Sequence, residues 1–190
     1  GLYVIGVTAD NKGVKKTKSI KIAVRTEGEI SLFDSNAYLA DAGGGKDSVW
    51  CWPRSIDTSF KRSETGSLKV MPHSQDGTWP KIVFNRNGYE LWNMTDYDYI
   101  SMWVYNPSSS PIEGFAMIIS DEDFNKEKTV YNTVTIPSGV WTEIKTTKEH
   151  IAAYASGLDL SKITIAFGNC AAGYENRTTF YIDDVKFGKN

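Results

Sequence analysis

The sequence predicts an all-β protein, a β-sandwich or jelly roll, with an extra β-hairpin at its N-terminus. Three observations point there. Nine short runs of strand-forming residues recur between residues 29 and 187, separated by Gly, Pro, Asn, Asp and Ser, the rhythm of stacked antiparallel strands and not of a parallel α/β sheet. Only the stretch KEHIAAYASG at 148–157 has helical spacing, and turn residues bound it closely. Aromatic residues make up 13% of the chain, with six Trp and ten Tyr, a composition that suits strands and also suits a protein that holds sugars. A chain of 190 residues can bury about 70% of its unfolded surface, enough for one core.

The elements follow in order. In residues 1–26, YVIGVTA alternates from Tyr3 to Ala9, Asp10 to Gly13 supply turn residues, and SIKIAV alternates from Ser19 to Val24, which predicts a hairpin. Two strands cannot bury a face alone, so the hairpin belongs to a neighbour lying upstream or packs on the body that follows. That body, 27–190, carries the runs EISLF (29–33), SLKVM (67–71), KIVFN (81–85), YISMWVYN (99–106), GFAMIIS (114–120), TVYNTVTI (129–136), WTEIKTT (141–147), ITIAFG (163–168) and TFYIDDVKF (179–187). Residues 36–62 are poor in strand signals and predict one extended loop. The stretch 148–157 predicts a single short helix or turn.

Composition removes several function classes. With 21 Lys plus Arg against 23 Asp plus Glu the net charge is −2, which argues against nucleic acid as a partner. No apolar run approaches the roughly 18 residues of a membrane span, and no signal-peptide pattern opens the sequence. Cys51 and Cys170 cannot form a disulfide framework or a zinc set; they are either one disulfide, tying the long loop to the turn GNCAAG, or two buried thiols. The two histidines, His73 and His150, stand isolated. There is no G-x-S-x-G, no H-E-x-x-H and no Gly-rich phosphate loop, and no acidic pair sits in a recognisable glycosidase motif, so the expectation is a protein that is not an enzyme.

Several phrases in order resemble the galactose-binding-like jelly rolls: ETGSLKV (64–70), DYDYISMWVYN (96–106), IPSGVWTEI (136–144) and FYIDDVKF (180–187). That family includes many carbohydrate-binding modules of secreted bacterial glycan-degrading proteins, and the resemblance spans 28–187. The hairpin resembles the last two strands of a bacterial immunoglobulin-like or PKD-like domain, through Gly1, Tyr3, Asp10 and Gly13. The resemblance implies an extracellular, cell-surface or periplasmic location, with a polysaccharide or oligosaccharide and neighbouring domains as partners. A scaffold of this kind also serves structural and protein-interaction roles, which is the alternative function. A small hydrolase on the same scaffold is a third and more distant one.

By the same resemblance, one structural Ca²⁺ is expected between the first strand, the loop before GSLKV and the closing strand. Asp34 and Asp183 would supply carboxylates, and Lys61, Ser63 and Gly66 backbone carbonyls. Asp34 directly follows Phe33, where the family's usual acid is a Glu one position after an aromatic. The alternative is that Asp183 accepts hydrogen bonds from a loop backbone. A second acidic run, SDEDFN (120–125), lacks the Gly and closing Glu of a calcium loop and is expected to be a solvated hairpin tip.

Sugar binding needs flat aromatic platforms edged by polar groups. In YISMWVYN, alternation puts Ile100, Met102 and Val104 on one face and Trp103 and Tyr105 on the other. If the aliphatic set faces the core, Trp103 and Tyr105 look out on the sheet face where related modules hold glycan. The alternatives are the opposite assignment, or the hairpin covering that face. Trp50 and Trp52, in VWCWP, either face a ligand or plug their own loop. Trp79 and Trp92, with Arg86 among the neighbouring polar residues, offer a further mixed patch. Trp141 matches the family's packing Trp and is expected to be structural.

Overall fold

Strand β1 (Leu2–Asn11) and strand β2 (Val14–Ala23) pair antiparallel along their whole length, from Leu2 opposite Ala23 to Asn11 opposite Val14. They form a two-stranded sheet of their own, as the alternation predicts. The computed structural model describes residues 2–11, 14–23, 29–31, 54–63, 66–71, 81–84, 91–169 and 178–190.

The rest is a sandwich of two antiparallel sheets. Ten strands among the described residues build it: β3 (Glu29–Ser31), β4 (Arg54–Asp57), β5 (Ser67–Val70), β6 (Lys81–Phe84), β7 (Tyr99–Tyr105), β8 (Ile112–Ser120), β9 (Val130–Ile136), β10 (Trp141–Thr147), β11 (Thr164–Asn169) and β12 (Phe180–Gly188). The larger sheet runs β10-β7-β12-β5-β4, with β3 also paired to β12, and the smaller runs β6-β11-β8-β9. The expected all-β, two-sheet architecture holds, and each of the nine predicted runs contains a strand. The correction falls at 54–57: β4 lies inside the stretch expected to be loop. Its four residues, RSID, offer one inward apolar side chain, Ile56, and take their strand geometry from pairing with β5.

Period-two alternation explains the core. Ile100, Met102 and Val104 of β7 are fully buried, as are Leu68 and Val70 of β5 and Ile182 of β12. Phe115, Met117 and Ile119 of β8 and Ile165 and Phe167 of β11 face them from the smaller sheet. Phe115 and Phe180 meet edge-on across the gap, 5.1 Å between centroids, an arrangement aromatic quadrupoles favour. Trp92 corrects a second expectation. It is 8% exposed and packs edge-on against Phe187, so it belongs to the core and not to a ligand face.

A short α-helix, α1 (Lys148–Tyr154), closes the end of the sandwich with Ile151 inward, and Thr147 caps it by accepting from the His150 amide. His150 itself lies beside Tyr154 on this helix. The run SDEDFN forms the β8–β9 connection: Asp121 accepts from the Asn125 amide and pairs with Lys128, while Glu122 and Asp123 are exposed. Gly188 answers a close approach, since a Cβ there would run into the Tyr99 ring.

Candidate functional site

The outer side of the larger sheet carries aromatic rings in a row. Trp141 on β10 stands opposite Tyr105 on β7, Tyr105 opposite Tyr181 on β12, and Tyr181 opposite Lys69 on β5. Residues directly opposite in a sheet share a face, and neighbouring strands lie about 4.8 Å apart, so the row crosses the strands at right angles. Tyr105 and Trp141 have centroids 5.5 Å apart, and Tyr105 and Tyr181 6.4 Å. Lys69 Nζ lies 5.9 Å from the Tyr181 ring. A second row holds Glu143, Trp103 and Asp183.

Of the two assignments open for β7, the structure takes the one with the aliphatic set inward; Trp103 and Tyr105 are half-buried on the outer face. Trp141, expected to be purely structural, stands on that same face beside Tyr105 and joins the row. What shields these rings is a segment that the sequence reading named only for the backbone carbonyls of Lys61 and Ser63. Residues 58–63 cross the face as a strap, and Phe60 lies 4.6 Å from both Tyr105 and Tyr181 and 5.9 Å from Trp141. Arg62 sets its guanidinium 3.8 Å from the Trp103 ring centroid, a cation–π contact, and pairs with Asp184.

Three sets of hydrogen bonds hold the strap. The Asp57 carboxylate accepts from the Ser59 and Phe60 amides, turning the chain just after β4. The buried Ser67 hydroxyl donates to the Phe60 carbonyl at 2.6 Å. Asp183, fully buried, accepts at Oδ2 from the amides of Arg62 and Ser63 (2.9 and 3.0 Å) and at Oδ1 from the Ser63 hydroxyl and the Asp184 amide (3.0 and 2.8 Å). A bulge makes this possible. The pairing of β12 with β7 shifts between Asp183 and Lys186, and Asp184 takes a φ of 50°, so Ile182 and Val185 both face the core. The extra residue lets both aspartates serve the strap. Burial raises the Asp183 pKa, opposed by the amides of Ser63 and Arg62, while the nearby Asp184 charge raises it further.

The described part of the expected calcium set can be tested against this chemistry. A carboxylate has about four lone-pair positions, and at Asp183 N–H and O–H donors take four. With those donors in place, a cation at Asp183 would have to displace the Arg62 and Ser63 amides. The hydrogen bonds are those of the alternative reading of Asp183. Lys61 is exposed, Ser63 half-buried and Gly66 buried. Among the described residues no three His, Cys, Asp or Glu gather as a metal site. Asp34, Trp50, Trp52, Trp79, Arg86, His73, Cys51 and Cys170 lie outside the described residues.

Solved structures provide the comparison. The family 30 carbohydrate-binding module of the cellulosomal cellulase Cel9D-Cel44B of Clostridium thermocellum matches at 15% identity and a TM-score of 0.51, over 72% of this chain and 82% of that one. The CBM22-2 xylan-binding domain of Paenibacillus barcinonensis Xyn10C matches at 14% identity and 0.54, over 86% and 98%. The fold resembles that of carbohydrate-binding modules. The C. thermocellum xylanase 10B CBM22-1-GH10 modules, solved with xylohexaose, match at 18% identity and 0.55, over 86% of this chain and 29% of that one. No protein-family model and no curated protein matches the chain. At these identities the likeness is one of architecture, and any role must be argued from the side chains. Among the described residues no helix is long and apolar enough to cross a membrane.

Proposed function

We propose that the chain is a non-catalytic carbohydrate-binding module that holds a glycan on the outer face of the larger sheet. The observation that carries this is the in-register row Trp141, Tyr105 and Tyr181, half-exposed and flanked by Lys69 and the exposed Glu143. Apolar C–H faces of sugar rings stack on such rings, and charged groups at the edge pair with hydroxyls. Rings repeating at the strand spacing match a linear chain of sugars laid across the strands. A glycosidase needs one carboxyl free to give a proton and a second to act beside it. Asp183 is committed to the strap, which supports a binding role. Export from the cell and an immunoglobulin-like neighbour preceding residue 27 belong to the same reading, and the paired hairpin β1–β2 supports the second.

Affinity electrophoresis through xylan, soluble cellulose derivatives and agarose tests it, with wild type beside Tyr105→Ala and Trp141→Ala. Retardation by at least one polymer is expected, weakened about tenfold or more in Tyr105→Ala, which loses contacts with three neighbouring rings. Equal retardation of all three proteins would move the site off this face. No retardation of any would favour a structural or protein-docking domain. Melting with calcium and then with chelator is expected to give one Tm, since the Asp183 oxygens already accept four hydrogen bonds; a large drop on chelation would restore the calcium set.

A further inference from the structure

We propose that residues 58–63 are a self-occupying strap: Phe60 fills the place on Tyr105, Trp141 and Tyr181 that a bound sugar would take, and Asp183 is the latch that holds it there. The inference rests on the glycan reading of this face. Its own support is the geometry of the segment. Phe60 touches all three rings of the row, while Arg62 covers Trp103 in the second row, so both rows are capped by residues two apart on one segment. Neither cap enters the core between the sheets: Phe60 is only half-buried and Arg62 is exposed. The latch is separate from the caps, because Asp183 takes backbone amides of Arg62 and Ser63 and not the ring or the guanidinium.

Two consequences follow. A face whose open form is a fraction of the population binds with its intrinsic affinity reduced by that fraction. Removing the occupant or the latch therefore strengthens binding, whereas removing a ring of the platform weakens it. A segment that opens alone also exchanges its amide hydrogens faster than the strands beneath it.

The test is calorimetric titration with xylohexaose and cellohexaose of wild type, Phe60→Ala, Arg62→Ala, Asp183→Asn and Tyr105→Ala, alongside amide hydrogen exchange on the same proteins. Phe60→Ala is expected to bind about tenfold tighter than wild type, since two close ring contacts no longer compete. Arg62→Ala, which keeps Phe60 and the latch, is expected to bind severalfold tighter. The Arg62 and Ser63 amides are expected to exchange faster than those of Met102 and Ile182 in wild type, and faster still in Asp183→Asn. If Phe60→Ala and Arg62→Ala bind as wild type or weaker while Tyr105→Ala loses binding, the glycan reading stands and the strap is a fixed wall, which overturns this proposal. If no variant binds either sugar, the glycan reading of this face fails. Exchange then judges the latch: Arg62 and Ser63 amides that open only with the whole domain would overturn it as well.

Discussion

The two sides of the larger sheet are built from the same strands by the same alternation, yet they behave as different materials. Inward, β7, β5 and β12 present Ile100, Met102, Val104, Leu68, Val70 and Ile182, all closed to solvent and packed against the smaller sheet. Outward, the same strands present Trp103, Tyr105, Lys69, Tyr181 and Asp183 beneath a six-residue strap. The inner side is held by apolar area and close packing, which any well-fitting aliphatic set supplies. The outer side is held by directional contacts: ring on ring, guanidinium on ring, amides on a buried carboxylate. The first kind of surface makes a fold; the second kind positions a site.

Substitutions should separate the two. The largest effect is expected inside: Phe180→Ala removes a ring that is 2% exposed and loses its edge-on contact with Phe115, costing about 3–5 kcal/mol in denaturant unfolding. A cost as small as that of an outer-face variant would break the distinction. Asp183→Asn comes next. Its amide keeps one acceptor oxygen but turns an NH₂ toward donors, at Arg62 and Ser63 or at Ser63 and Asp184, for about 1–3 kcal/mol. Gly188→Ala forces the Tyr99 ring off its seat, and about 1–3 kcal/mol is expected in the same unfolding measurement. Thr147→Ala, at the far end of β10 from Trp141, removes the helix cap and should lower stability by only about 1 kcal/mol.

The same contrast decides what could be read from the sequence. Inner-face alternation is local, so the nine runs and the inward set Ile100, Met102 and Val104 were legible. The outward placement of Trp103 and Tyr105 was legible only as one of two choices, because period two assigns faces without saying which is inside. Trp92 was misplaced since a Trp near turn residues looks exposed until the Ile163 bridge and Phe187 enclose it. β4 was missed because four residues with one partly buried apolar side chain give no periodicity, and long-range pairing with β5 makes the strand. The strap was least legible. It depends on a bulge at Asp183 and Asp184, whose only local trace is two adjacent aspartates in YIDDV, and on contacts about 120 residues apart in sequence. Tyr181 could have been found: it alternates with Phe180 and Ile182, both inward, and so had to face out with Tyr105.

The smallest effect expected concerns pH, and it too sets the buried carboxylate against an exposed one. Burial raises the pKa of Asp183, whereas Ser161, through its hydroxyl and then its amide, lowers that of the exposed Asp159. A raised folded pKa means that the folded chain binds the proton more tightly than the unfolded chain, whose Asp titrates at about 3.9. Between those two values stability contributed by Asp183 rises as pH falls, and above the folded value the charged form carries its full desolvation penalty. Asp159 has the opposite sign: its contribution is present above the unfolded value and is lost as pH falls through the lowered one. Unfolding at a series of pH values, with wild type compared to Asp183→Asn and to Asp159→Asn, isolates each slope from the other carboxylates. On acidification wild type should gain on Asp183→Asn and lose its advantage over Asp159→Asn. Parallel slopes would mean that the latch carboxylate is solvated like any surface aspartate, and the outer face would then lose the buried anchor that distinguishes it from an ordinary exposed sheet.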